Sequence, residues 1–279
     1  MERYDRAVWF FTVSLLVPWL CWFAAGYLSH QPALPAALAN LAAALGILGL
    51  VAPVLVAAWL FQERGLWGDL RGRLLRLGGF SRIYLFYAAF LIFAALVVAQ
   101  LLSLLFGHGL DQFALASKTS FTAGALPPWF ILLLAPVVEE LAWHTYGTDA
   151  LRRRLNLFWT SIVFAVYWVL WHLPLAGIKG YYQSNLVQEG WLYSLNFAVG
   201  LFVFVILMNW LYYKTGRSVV VAILFHLSAN VSNEIFTTDP DSKVIETALL
   251  LVVCIVVLAR ERCLFFSSEF PAAVAGRLE

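Results

Sequence analysis

The sequence predicts an all-α fold: a polytopic transmembrane helical bundle of about eight spans with both termini in the cytoplasm. Three observations lead there. The 279 residues are 62% hydrophobic and only 12% charged, about half the charged fraction of a soluble globular domain. Apolar stretches near the ~20 residues needed to cross a bilayer recur along the whole chain. The basic residues fall in alternate connecting segments, as they do when loops take turns facing the cytoplasm.

Taken in order, the expected spans are Ala7–Ser29, Ala33–Phe61, Ile83–Phe106, Pro128–Tyr146, Asn156–His172, Gly190–Tyr213, Ser218–Asn233 and Val244–Ala259. The first is about 23 residues, longer than the ~7–15 of a signal-peptide core, and its leading segment has mixed charge, so it reads as a retained helix. Between the second and third, residues 62–82 combine Leu, Trp and Phe with five arginines. That composition suits an amphipathic helix on the inner leaflet or, equally, a basic connector. The fourth span is interrupted by charge, and the fifth and seventh are short. No soluble domain, internal repeat or low-complexity tract interrupts the series, so residues 1–279 read as one transmembrane domain.

With the N-terminus inside, the inner segments hold Arg3, Arg6, Arg64, Arg71, Arg73, Arg76, Arg82, Arg152, Arg153, Arg154, Lys214, Arg217, Arg260, Arg262 and Arg277. The outer ones hold only Lys118, Lys179 and Lys243. Fifteen against three follows the positive-inside rule at every loop. The 12 Trp and 11 Tyr suit rings that favour the headgroup region. A net charge of +2, with no basic run interleaved with aromatics, excludes a nucleic-acid partner. Membrane lipid is the expected surrounding. Cys21, Cys254 and Cys263 have no CxxC spacing and read as packing residues.

Carboxylates within a span need a reason, because each costs on the order of 2.5–3.5 kcal/mol at a helix centre. The fourth span carries Glu139 and Glu140 side by side, one turn after Pro136, whose missing N–H frees a carbonyl and kinks the helix. Glu140 and His144 lie four apart and meet on one face. Trp168 and His172 are four apart at the end of the fifth span, before Pro174. His226 and Asn230 are four apart on the seventh. Burying these groups separately would be costly several times over, whereas convergence lets each supply the others' partners. By residue count from the inner ends, Glu139 and His226 sit about 12 Å deep and His172 about 24 Å, a mismatch that any convergence has to remove.

No GxSxG elbow or Ser/Lys dyad is present. A carboxylate, two imidazoles and an amide suit direct attack of water on a carbonyl, with Glu as general base and His/Asn donors on the oxyanion. Zinc on one Glu and two His is the weaker alternative, because HExxH is absent and the ligands are spread over three helices; no cofactor is expected. Two non-enzymatic readings stand beside hydrolysis. One is an immunity or scaffold protein whose polar cluster is structural. The other is a proton-relay transporter, against which no inverted repeat is visible.

At these residues the chain resembles the CPBP intramembrane proteases, the CAAX-protease and bacteriocin-processing (Abi) family, which includes the type II CAAX prenyl endopeptidases. The resemblance covers residues 128–233. It rests on Glu139-Glu140 with a following basic position, on an aromatic four before His (Trp168, His172), and on His followed four later by Asn (His226, Asn230). It implies a metal-free glutamate-type endopeptidase acting on a peptide or protein with a membrane-associated or lipidated segment. In it Glu139 and His172 activate water, His226 and Asn230 form the oxyanion hole, and Glu140, His144 and Trp168 support them. The departure is His144, where the family usually has Arg: a cation that cannot lose its charge is replaced by one that can.

Overall fold

The computed structural model describes residues 2–74, 78–121 and 127–267. Among these the secondary structure is helical, apart from one isolated backbone bridge between Leu115 and Phe236. Arg76 and Arg277 of the charge count, and the C-terminus itself, lie outside the described residues.

Among the described residues, six helices are long and apolar enough to cross a membrane: Ala7–Ser29, Ala36–Arg64, Ile83–Phe106, Leu157–Gly177, Trp191–Lys214 and Pro240–Arg260; Val219–Ile235 is a shorter apolar helix. In chain order the α-helices are α1 (Ala7–Ser29), α2 (Ala36–Arg64), α3 (Trp67–Leu74), α4 (Ile83–Ser103) and α5 (Pro128–Ala142). They continue with α6 (Thr148–Arg152), α7 (Leu157–His172), α8 (Tyr182–Glu189), α9 (Trp191–Lys214), α10 (Val219–Ile235), α11 (Pro240–Arg260) and α12 (Arg262–Phe266).

Boundaries follow local chemistry. The second span starts three residues later than expected, because Ala33 has a positive φ and Pro35 takes the capping position. It ends at Gly65, whose left-handed φ closes the helix. The Asn156 side chain accepts from the Trp159 N–H at 2.9 Å and starts α7. Asp239 caps α11, with Pro240 in its first turn. Pro174 does not end the fifth span: a 3₁₀ turn, Leu173–Gly177, continues α7, since a proline in a first turn gives up no bond that the helix needs.

One expectation changes more substantially. The fourth span does not stop at Tyr146. A π segment, Trp143–Gly147, links α5 directly to α6, so the helical rod continues to Arg152. Within the arginine-rich stretch after α2, residues 67–74 form a short helix. α3 is tucked against the bundle with Leu70 and Arg73 buried.

Arg73 donates from Nη1 to Asp149 Oδ2 (2.9 Å) and to Tyr212 OH (2.7 Å), and from Nη2 to Tyr4 OH (2.7 Å). It also reaches the carbonyl oxygens of His144 (3.2 Å) and Thr145 (2.9 Å) within the π segment. Arg217 spans Asp149 and Asp69, with Nε to Asp149 Oδ2 at 3.0 Å and Nη1 to Asp69 Oδ1 at 3.1 Å. Two guanidinium groups against two carboxylates give a charge-balanced buried knot at one end of the bundle. Among the described residues, three of the counted cations are buried in the protein: Arg73 and Arg217 of the knot, and Arg152 on α6.

The knot also removes the depth mismatch. Asp149 and Arg217 are bonded and so share a level. Glu139 lies ten residues from the first and His226 nine from the second, about 15 and 14 Å at the helical rise. His172 lies fifteen residues from the start of α7, which begins just after the extended fourth rod ends.

Close helix approach is set by small residues. A Cβ at Gly49 would stand 2.3 Å from Trp22 Nε1, and that indole donates to the Gly46 carbonyl at 3.0 Å. The glycines of α2 thus serve packing against α1 within this chain.

Candidate active site

Glu139 and Glu140 occupy the last turn of α5, both buried. Neighbouring helical side chains diverge by about 100°, and the two carboxylates accordingly take separate partners. Glu139 Oε2 accepts from the Trp168 indole at 3.1 Å and from the Trp143 indole at 3.4 Å. Both bonds fall on one oxygen, which leaves Oε1 for the cavity. Glu140 is enclosed: Oε1 meets His226 Nδ1 at 2.7 Å and Oε2 meets His144 Nδ1.

Pro136 has a specific consequence. Lacking an N–H, it cannot bond to the carbonyl four residues back, Leu132. That oxygen accepts instead from Asn230 Nδ2, at 3.3 Å, on α10. The contact fixes the amide orientation, since a carbonyl only accepts, and leaves the second N–H of Asn230 uncommitted. The same logic fixes His172, whose Nδ1 lies 2.7 Å from the Trp168 carbonyl. Nδ1 must be the protonated nitrogen, so Nε2 of the neutral ring presents a lone pair.

Trp168 joins the groups. Its ring lies 5.3 Å from that of His226, edge to face, and 5.7 Å from that of His172. Phe164 stacks on its other side at 14°. A packed indole has few rotamers to choose from, so the Glu139 carboxylate it holds is held firmly.

A cavity of about 550 Å³ is lined by Glu139, Trp168, His172, His226 and Asn230 together. Glu140 and His144 stand behind its wall. The lining extends along the ends of α1, α7 and α10 and the starts of α2, α9 and α11, so the cavity runs towards the end of the bundle opposite the arginine knot. Lys179, Glu189, Lys243 and Glu246 lie on that outer part.

Two indole N–H groups occupy Glu139 Oε2, so Glu139 Oε1 and the Nε2 atoms of His172 and His226 are the groups on this cavity that could hold a metal. Among the described residues, the metal-like grouping of ligand atoms is His108, Asp239 and Asp241, where the two ring nitrogens face different carboxylates at 3.2 and 3.5 Å.

Every residue singled out by sequence thus has a place at this centre, either on the cavity or directly behind it. Sequence reasoning missed Trp143, Asn209 and Ser161. Asn209 meets His144 Nε2 through Oδ1 at 2.9 Å and donates through Nδ2 to Ser161 Oγ at 2.9 Å. An amide inside the apolar run 197–213 of the sixth span was the signal that could have found it. Trp143 lies four residues after Glu139, the spacing that pairs His144 with Glu140, but among the chain's many aromatics that spacing did not single it out.

Comparison with known proteins gives two findings. Residues 121–232 match the family model described as "Type II CAAX prenyl endopeptidase Rce1-like". The chain is 30% identical over 267 residues to "CAAX prenyl protease 2" of Methanococcus maripaludis, covering 95% of this chain and 97% of the relative. A match running the length of both chains, through the helices that build the Glu139 centre, means that this integral membrane protein belongs to the CAAX protease family of Rce1-like type II endopeptidases and is a protease.

Proposed function

We propose that the protein hydrolyses a peptide bond of a membrane-associated or lipidated substrate with water activated by Glu139 and His172 and an oxyanion hole made by His226 and Asn230. The observation that carries this reading is the single cavity onto which those four side chains open. The printed name of the relative, a CAAX prenyl protease, favours a substrate whose lipidated cysteine lies near its carboxyl terminus.

Water sits between Glu139 Oε1 and His172 Nε2, each an acceptor for one of its protons. Its oxygen attacks the scissile carbonyl carbon, and the C=O π electrons move onto the oxygen. The proton released goes to Glu139, which later delivers it to the leaving amine as the C–N bond breaks. Asn230 gives its second N–H to the oxyanion. His226 donates through Nε2 in its doubly protonated form, which the Glu140 carboxylate at Nδ1 favours. Negative charge thus moves from Glu139 to the substrate oxygen while the net charge of the centre stays constant. In a low-dielectric site that avoids the largest electrostatic cost. No metal takes part in this scheme.

The experiment is cleavage of a fluorescence-quenched prenylated peptide by purified protein in detergent, with a metal chelator present, for wild type, Glu139→Ala and His172→Ala. Both variants should unfold thermally as wild type does and lose cleavage by about 10³-fold or more. Full activity in either variant, or loss of wild-type activity to the chelator, overturns the scheme.

A further inference from the structure

His144 stands where both of its ring nitrogens face acceptors. Nδ1 meets Glu140 Oε2, and Nε2 meets Asn209 Oδ1 at 2.9 Å. Which end of the Asn209 amide faces the ring follows from its surroundings. Ser161 Oγ donates its only proton to the Leu157 carbonyl at 2.8 Å, so it can only accept from Asn209, which must turn Nδ2 towards it (2.9 Å) and Oδ1 towards His144. The chain of donors therefore runs one way, His144 to Asn209 to Ser161 to the Leu157 carbonyl. Every residue in it is fully buried. Nε2 must carry a proton. At Nδ1 the partner is a carboxylate that already receives His226 Nδ1 on its other oxygen.

We infer that His144 is a positioning residue held as an imidazolium, with one N–H clamped on Glu140 and the other on Asn209. Resting on the protease reading above, it fixes Glu140 and through it the donor orientation of His226. Asn209 and Ser161 are the device that makes a histidine serve as a fixed cation, because the second acceptor turns a neutral ring into one unsatisfied nitrogen facing an oxygen. Charge then balances at the centre: Glu139 and Glu140 against His144 and His226, with His172 neutral. The titratable groups facing His144 are Glu140 on its own rod, His226 on α10 behind that carboxylate, and Tyr212 on α9, whose ring lies 4.8 Å away. Arg73 on α3 reaches its carbonyl oxygen at 3.2 Å, and Asp149 takes the same guanidinium. The guanidinium binds the backbone and is neutralised by Asp149, which leaves the ring itself to face Glu140.

The test is nitrogen NMR of the full chain in detergent with labelled histidine side chains. The His144 ring is identified as the pair of signals missing from whichever of His144→Gln and His144→Arg folds. At pH 7 both of its nitrogens should be protonated; an unprotonated nitrogen, the pattern of a neutral ring beside a protonated Glu140, overturns the inference. This readout needs no substrate, so a wild-type protein that cleaves nothing sinks the protease reading and leaves the proton count standing. With the prenylated peptide, His144→Gln and Asn209→Leu should each lower kcat by about tenfold or more and leave KM within about twofold. Wild-type kcat in both His144→Gln and Asn209→Leu overturns the positioning role.

Discussion

Asn230 has two N–H groups and, in this fold, two uses for them. One satisfies the Leu132 carbonyl that Pro136 leaves open; the other faces the cavity, where an oxyanion would form. Asn230→Ala should therefore lower kcat by about 10²–10³-fold and also cost about 1–3 kcal/mol of stability through the orphaned carbonyl. Kinetics and thermal unfolding of one preparation check both, and lost stability with intact kcat would leave Asn230 only a clasp between helices. The residues that line and back the cavity were legible in sequence because charge and amide groups inside apolar spans are expensive and need a reason. The second partners were not. Which oxygen of Glu139 the indoles hold, and that Asn209 backs His144, depend on rotamers and on a π turn that no spacing encodes.

The elements around the site explain why a rod with two carboxylates is tolerated. α5 gives up its regular ladder twice, at Pro136 and in the π segment Trp143–Gly147, and each time another element supplies the missing bond. Asn230 of α10 does so at the first place, and Arg73 of α3 reaches two carbonyl oxygens at the second. Such π turns are often found at functional sites. Burial of Arg73 was not legible in sequence, because one of its carboxylate partners, Asp69, lies a turn earlier on α3 while the other, Asp149, comes from a distant part of the chain.

Asp69 lies outside the spans and ties this element down. Burial alone would raise its carboxyl, but Arg73 and Arg217 outweigh burial and hold it below its ordinary value. A carboxyl lowered in the folded state stabilises that state above the unfolded pKa, and the gain is lost as pH falls through the folded value. Asp69→Asn should thus be less stable than wild type by about 1–3 kcal/mol at pH 7, discounted for its partial exposure. That difference should shrink to nothing as the pH drops below the carboxylate range. Unfolding curves for both proteins at pH 7 and pH 3 check this, and an equal difference at both pH values contradicts the ion-pair account.

On the scale of the whole molecule, composition and hydropathy were enough for the helical membrane bundle, since lipid imposes that architecture on so apolar a chain. Span edges were less legible where proline, glycine or a π turn overrides hydropathy, as at Ala33, Pro174 and Tyr146. The cavity and the arginine knot occupy opposite ends, so orientation decides which compartment reaches the site. The arginine distribution predicts that the knot end is cytoplasmic. Cys263, exposed on α12, reports on that end, while Cys21 and Cys254 are buried. An impermeant thiol reagent should label Cys263 only after the cells are broken. Labelling in intact cells reverses the orientation and leaves the site geometry unchanged.

The central claim is that Glu139 and His172, from different helices, act on one water molecule. A double-mutant cycle measures this most directly: kcat for Glu139→Gln, His172→Ala and the pair, with folding verified for each. Groups that act as a unit lose their effect together, so the account predicts a double variant within about threefold of the worse single one. Losses that multiply, as for independent groups, would contradict it.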